Sequence, residues 1–350
     1  MKDIVSLLKA AAGAKASDLH LVPGCPPFIR VDGDIRQLVP ALADGLEAEA
    51  LARSLLTPAQ LKEVEEKRHL GFSYTVSQLG RFRVEAFYTR GRLGASIRLG
   101  FLKVPALEDI GTPPVLEEIC RGHSGLVLVC GPTGAGKTTT LAAMVDFINR
   151  EQACRISTIE DPIEYLHRNK RGVVVQQEVL DDTPSFADAL VHVLRQDPDV
   201  IVVGEMRSLD TIQTALTAAE TGHLVMATLH TTSASQTVDR VIDVFPPYQQ
   251  TQVRVQLAAS LEAIVSQRLL PRIGEGRVLA YEVLVATPAV RTLIRDSKSQ
   301  QFVSVIQSSG DVGMCTMDAC IARLYNDGVI AYDVALENLE NRSMIRRPSV

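Results

Sequence analysis

The 350-residue chain contains no apolar run approaching the ~18 residues of a membrane span, so direct insertion as a helix is not expected. No secretory leader is expected either. After Met1-Lys2-Asp3 the short apolar stretch is interrupted at Lys9, despite the small residues Ala10 to Ala14. There is no excess of positive charge: 36 Lys and Arg stand against 41 Asp and Glu, giving a net charge of −5. That balance, and the lack of a basic stretch interleaved with aromatics, gives no broad grip on nucleic acid or anionic lipid. Paired cysteines are also missing. Cys25, Cys120, Cys130, Cys154, Cys315 and Cys320 are scattered without a C-x-x-C pair, and no His cluster completes a zinc site around Cys315 and Cys320. These read as free thiols of a cytoplasmic protein, used as small core residues. Internal repeats and low-complexity segments are absent. What is present is 46% apolar residues, ample for packed cores, in a length that suggests about two domains.

Residues 131 to 138 read Gly131-Pro132-Thr133-Gly134-Ala135-Gly136-Lys137-Thr138, a complete G-x-x-x-x-G-K-[ST] phosphate loop, followed by Thr139. Before it, Leu126 to Cys130 is short, branched and uncharged, as a buried parallel strand should be. Behind it, Leu141, Met144, Val145 and Ile148 recur at helical spacing. Glycines let the backbone N–H groups turn towards phosphate oxygens, and the helix adds the positive end of its dipole. Lys137 is placed to reach the β/γ-phosphates of ATP. Thr138 is placed to offer its hydroxyl to Mg²⁺.

The first hundred residues read as a small α+β domain, residues 1–100. Leu19 to Val22 and Phe28 to Val31 are extended, and Asp32-Gly33 signals a hairpin. A charged helix is expected around Leu61 to Arg68. In a further strand, Phe82, Val84, Ala86 and Tyr88 alternate with Arg81, Arg83, Glu85 and Phe87, and Gly91 and Gly94 are expected to bracket a turn before Ala95 to Leu99. Arg83 and Arg98 then lie on paired strands. Lys103-Val104-Pro105 and Thr112-Pro113-Pro114 mark a linker, residues 101–114, before an α/β domain, residues 115–350. There strands and helices alternate as in a doubly wound parallel sheet. Strands are expected at Arg155 to Glu160, Val173 to Val175, Val200 to Val203 and Leu224 to Leu229. A helix capped by Thr183 and started by Pro184 is expected between the second and third, and a later one buries Val253, Leu257, Leu261 and Ile264.

In such a sheet, residues just beyond strand ends carry the chemistry. Val200 to Glu205 has the form of a Walker B strand, with Glu205 emerging towards metal and phosphates. Glu160, Asp161 and Glu164 concentrate three carboxylates within five positions, and any of them can serve as a general base on the attacking water. His223 and His230 straddle the strand Leu224 to Leu229, suited either to sensing phosphate or to a hydrogen bond across a subunit interface.

Together these segments resemble the secretion-type ATPases, and within them the type IV pilus retraction motors. The resemblance runs nearly end to end. Ser17-Asp18-Leu19-His20-Leu21 resembles the opening motif; Thr158 to Glu164 resembles the Asp box; Gly204 to Arg207 resembles the Walker B end; Thr221 to Leu224 and Thr228 to Thr231 resemble the His box. A signature written A-I-R-x-L-I-R-E-G-K is matched by Ala289 to Lys298, with Val290, Asp296 and Ser297 departing from it. The resemblance implies a RecA-like P-loop NTPase domain preceded by a PAS-like domain, and Glu164 as the general base. It also implies Arg83 and Arg98 as contacts to the γ-phosphate, a homohexamer with ATP held between domains, and work with an inner-membrane platform protein and pilus machinery at the cytoplasmic face of the inner membrane. Assembly and export motors usually carry a longer amino-terminal region and a four-cysteine zinc insertion, and this chain shows neither.

Overall fold

The computed structural model describes residues 3–31, 33–38, 45–76, 79–100 and 104–346. Met1-Lys2, Asp32 of the expected hairpin and Lys103 of the expected linker lie outside them. The chain divides into two compact units. The first comprises residues up to Lys103 together with Pro162–Leu166, and the second comprises Val104–Asp161 and His167–Val350.

In the first unit, helix α1 (Ile4–Gly13) starts where the Asp3 side chain accepts from Ser6 N at 2.7 Å. Strands β1 (Asp18–Leu21), β2 (Phe28–Val31) and β3 (Asp34–Gln37) follow, then α2 (Gly45–Ser54) and α3 (Pro58–Lys67), the latter held by a Thr57–Gln60 capping box. Strands β4 (His69–Val76), β5 (Gly80–Thr89) and β6 (Arg92–Leu99) complete an antiparallel sheet in the order β3-β2-β1-β6-β5-β4. Alternation decides its faces. Phe82, Val84, Ala86, Leu93 and Ile97 point into a core with Leu8, Leu19 and Leu21, leaving Arg83, Glu85 and Arg98 outside. The β5–β6 turn is only Arg90-Gly91, both at positive φ (49° and 76°), with Thr89 paired to Arg92. Gly94 is therefore not in the turn. It lies inside β6, where a Cβ would come within 2.9 Å of Leu21 O, so its absent side chain serves close strand approach. The segment Pro162–Leu166 buries Ile163 and Tyr165, and a Cβ on Gly100 would meet Arg81 O at 2.3 Å and Glu164 O at 3.2 Å. Only glycine fits between those two carbonyls.

The second unit opens with α4 (Val115–Arg121) and β7 (Gly125–Cys130), then α5 (Lys137–Glu151), β8 (Arg155–Glu160), β9 (Val173–Glu178) and α6 (Phe186–Val193). Next come β10 (Val200–Val203), α7 (Leu209–Glu220), β11 (Leu224–Leu229), α8 (Ala234–Asp243), α9 (Pro247–Ser260), β12 (Leu261–Pro271) and β13 (Arg277–Val285). Helices α10 (Pro288–Arg295), α11 (Phe302–Ser308), α12 (Met317–Asn326) and α13 (Tyr332–Asn338) close the unit. The sheet runs β13-β12-β7-β11-β10-β8-β9, parallel except for β13 against β12. Its central strands are buried on both faces, and two hydrophobic clusters, one on each side, pack helices against them. Cys120, Cys130 and Cys320 are buried there.

Two elements differ from the sequence reading. Helix α6 is capped by Ser185, whose Oγ accepts from Asp188 N at 3.1 Å, instead of by Thr183. Thr183 N-terminal to proline gave a plausible cap, but Ser185 followed three residues later by Asp188 closes the local hydrogen bonds better. Leu261 and Ile264 are strand residues of β12, not the end of a helix. A strand buried on both faces shows no alternation, so its leucines and isoleucines fell into helical register with those of α9 by coincidence. No helix of the described residues is long and apolar enough to cross a membrane.

Candidate functional site

Strands β7, β8, β10 and β11 run parallel, with Val203 opposite both Ile159 and Ala227, and Leu229 opposite Cys130. Whatever follows each strand thus emerges at one sheet edge. Those segments are the phosphate loop, Glu160, Gly204-Glu205 and His230. The loop turns on Gly131 (φ 147°), Gly134 (80°) and Gly136 (87°), the last being the N-cap of α5. A Cβ on Gly131 would sit 2.4 Å from Gln267 O, so backbone proximity and positive φ both require glycine.

Lys137 is buried at the first turn of α5. Its Nζ donates to the carbonyls of Gly131 at 2.8 Å and Pro132 at 3.1 Å, and lies 3.5 Å from Nδ1 of His230. Burial pushes its pKa down, opposed by the negative charge of Glu205. His230 Nε2 stands 2.8 Å from Glu205 Oε1, and the same oxygen accepts from Arg207 Nε. With the Nε2 proton donated to the carboxylate, Nδ1 keeps a lone pair facing the ammonium, so a neutral imidazole satisfies both neighbours. The lysine of the loop, the Walker B carboxylate and the His-box imidazole therefore form one chain of polar contacts. Gly204 is backed by Glu160, whose Cα would be 3.3 Å from a Cβ at that position, and Thr228 Oγ1 donates to Gly204 O.

Glu160 Oε1 accepts from Thr158 Oγ1 at 2.6 Å and Gln176 Nε2 at 3.0 Å. With Thr138, Thr158 and Gly204 it lines a small pocket that also receives His167. Sequence reasoning missed His167, because a lone histidine in irregular structure carries no pattern. Burial lowers its pKa to about 4, and its Nδ1 has no hydrogen-bond partner. On the other side of α5, a cleft of about 1030 Å³ adjoins Gly136 and Thr139 and is walled by Ile110, Leu269, Arg272, Arg277 and Leu324.

Not every expected residue joins this edge. His223 precedes β11, so the six residues of the strand hold it about 20 Å from His230, at the opposite edge. There its Nδ1 lies 3.0 Å from Ala218 O. Within one chain His223 thus stands at the end of α7, apart from the edge that carries the phosphate loop. Asp161 is exposed, and its charge acts on Arg207. Glu164, Arg83 and Arg98 belong to the first unit. Arg83 and Arg98 are directly opposed cross-strand neighbours, and Asp18 is the next residue in that row. Arg98 Nε is 3.2 Å from Asp18 Oδ1, and Arg83 Nε is 3.6 Å from Glu85 Oε1. Two arginines opposed on an exposed face repel each other, an arrangement that is stable when anions share it.

The strand, glycine-rich loop and helix, with acidic and histidine residues converging at the same sheet edge, define a P-loop ATPase of mixed α/β fold with a small α+β unit before it. The chain belongs to the type II/IV secretion system protein family, whose model matches residues 107–320. It is 48% identical, over 96% of its length and 97% of the relative's, to the type IV pilus retractation ATPase PilT of Pseudomonas aeruginosa. To the twitching motility protein of Neisseria gonorrhoeae it is 44% identical over 97% of this chain and 91% of that one. A crystal structure of the pilus retraction motor PilT with bound ADP superposes with a TM-score of 0.91, at 45% identity and 99% coverage of both chains.

Proposed function

We propose that this protein is a homohexameric motor that couples ATP hydrolysis to type IV pilus retraction. It works at the cytoplasmic face of the inner membrane against a platform protein of the pilus machinery. The observation that supports this most is the Lys137–His230–Glu205 arrangement beside the phosphate loop, in a chain 48% identical over 96% of its length to a retractation ATPase.

In this reading, backbone N–H groups from Thr133 to Thr139 receive the phosphates, and Lys137 exchanges the carbonyls of Gly131 and Pro132 for phosphate oxygens. The nucleoside occupies the cleft beside Gly136 and Thr139. The Thr138 hydroxyl and the carboxylates of Glu160 and Glu205 are hard oxygen donors of the kind magnesium takes, and Thr138 and Glu160 share one cavity, so the residues fit Mg²⁺. Thr138 and Glu205 would hold it, Glu205 through water, and the ion would neutralise charge on the β/γ-phosphates. Glu164 takes the proton of the attacking water, while Glu160 is occupied by Thr158 and Gln176. Loss of the γ-phosphate frees Lys137 to turn back to its loop, and His230 transmits that change to Glu205. Arg83 and Arg98 contact the γ-phosphate and stabilise the charge that develops on it.

Deletion of the gene tests the motor's direction: twitching should be lost while surface pili persist or increase. Loss of pili would point to an assembly motor, and unchanged twitching with a second retraction motor present would point to an accessory role. In purified protein, Glu164→Gln should keep ATP binding and lower turnover by about 10²-fold or more. If Glu160→Gln does this and Glu164→Gln does not, the assignment of the base is wrong.

A further inference from the structure

Between the phosphate loop and the His-box turn lies a buried hydroxyl that neither motif contains. Thr237 sits in the first turn of α8 and is fully buried. Its Oγ1 is 2.6 Å from Thr231 Oγ1, 2.7 Å from Ser233 O and 3.2 Å from Cys130 Sγ. Cys130 is the last residue of β7 and immediately precedes Gly131. Thr231 immediately follows His230.

The proton count fits these three neighbours. A threonine hydroxyl has one proton and two lone pairs. Its one proton is shared between the acceptors Ser233 O and Cys130 Sγ, and a lone pair is left for the Thr231 hydroxyl. Burial raises the Cys130 pKa, so the sulfur that accepts from Thr237 is a neutral thiol. Neighbouring contacts hold the same turn: Ser266 Oγ donates to Thr232 O at 2.7 Å, and Ala234 N donates to Glu282 Oε1 at 2.9 Å. Thr237 contacts both the residue after His230 and the residue before the phosphate loop, beside Ser266, which also hydrogen-bonds Cys130.

We infer that Thr237 is a positioning residue, tying the turn that carries His230 to the strand that carries the phosphate loop, so that the imidazole stays between Lys137 and Glu205. The inference rests on the ATPase reading of that site. Removing the hydroxyl takes one partner each from the Thr231 hydroxyl and the Cys130 thiol, while the Thr237 amide still donates to Ser233 O, and the turn can then relax without the fold being lost, because Ser266 and Glu282 still hold it.

The test is a double-mutant cycle in the full-length protein with ATP and magnesium. Thr237→Val should lower kcat about tenfold or more while KM for ATP changes less than threefold, and Thr237→Ser should restore kcat to within about twofold, since residues acting through a shared partner couple. Against a His230→Asn background, Thr237→Val should change kcat less than twofold. Additive effects of the two substitutions, or a Thr237→Val enzyme with wild-type kcat, would overturn the inference. Thr231→Val breaks the same contact from the exposed side and should reproduce the phenotype if Thr237→Val folds poorly; normal kcat in that variant counts against the inference equally. The underlying reading fails separately, and visibly, if wild type and Lys137→Ala turn over ATP at the same rate.

Discussion

Arg291, the first arginine of the carboxy-terminal signature, can be replaced by alanine to separate structural from surface roles within that motif. Its guanidinium donates Nη1 to the carbonyls of Ala258 at 2.8 Å and Ala259 at 2.6 Å, Nη2 to Glu262 Oε1 at 2.8 Å, and Nε to Ala286 O at 2.9 Å. Ala258 and Ala259 lie in the last turn of α9, whose carbonyls have no partner within the helix and stand at the negative end of its dipole. One cation thus caps α9, fixes the start of β12 and anchors α10. Hydrogen bonds to a charged group contribute about 1.5–3 kcal/mol when buried. One of the four is exposed and the other three are only partly buried, so water replaces part of what is lost and Arg291→Ala should cost about 3 kcal/mol in all. For a cooperative unit of this size each kcal/mol lowers Tm by about 2–4 °C, so calorimetry should show the second unit melting about 6–12 °C lower. Arg295, whose bond is to Thr292 Oγ1 at 3.0 Å on the exposed helix surface, should lose less than about 0.5 kcal/mol as Arg295→Ala. A melt within 2 °C of wild type for Arg291→Ala, or equal losses for both arginines, would refute the capping argument.

Lys137→Ala should abolish nucleotide binding and turnover, measured by a fluorescent ATP analogue and phosphate release; near wild-type turnover would remove the phosphate-loop reading. Arg83→Ala and Arg98→Ala should keep nucleotide bound, cost little stability because each relieves a like-charge pair while losing one exposed ion pair, and lower hydrolysis by up to about 10³-fold; unchanged activity in both singles and the double variant would return these arginines to the solvated surface. Ser297 adopts φ 59° just past α10, at the signature's glycine position, so Ser297→Gly should raise stability by about 0.5–1 kcal/mol in chemical denaturation, and a loss would contradict the strain. His167 has a folded pKa near 4 against 6.5 in the unfolded chain, so below pH 6.5 the unfolded state binds the extra proton and stability falls as pH drops towards 4. Replacing it with His167→Gln should flatten that slope by about 2–3 kcal/mol over the window, and an unchanged slope would show that the imidazole titrates normally.

The phosphate loop and the ends of β8, β10 and β11 were legible because each is a short branched run followed by residues whose types the chemistry restricts. Strands β8, β10 and β11 coincide with their expected bounds. Helices α1 and α2 and strands β4, β12 and β13 went unread. Their cause differs from element to element: α2 and β4 are amphipathic only weakly, while β12 is buried on both faces from Ala263 to Gln267 and so shows no alternation there. Gly94 illustrates a further limit, since a glycine serving strand approach looks the same in sequence as one serving a turn. His167 and Thr237 carry no motif at all; each acquires its place only when distant segments fold together. The pairing of Arg83 with Arg98 was accessible in outline from the alternation of β5, but their direct opposition depends on the two-residue turn, which fixes the register.

The acidic segment after β8 is divided between the two units, with Glu160 and Asp161 in one and Pro162–Leu166 in the other. A truncation at the obvious boundary near residue 104, designed to obtain the phosphate-loop unit alone, would therefore leave behind a five-residue stitch whose home has been deleted. Ile163 and Tyr165, 7% and 3% exposed in the whole protein, would lose the unit to which their segment belongs, and Gly100, whose missing side chain makes room for the Glu164 backbone, would be gone. Such a fragment should be sticky and prone to self-association, and its Glu164 would no longer be held by anything but its own tether. The two halves of this protein are better exchanged between relatives as a matched pair, stitch included, than cut apart.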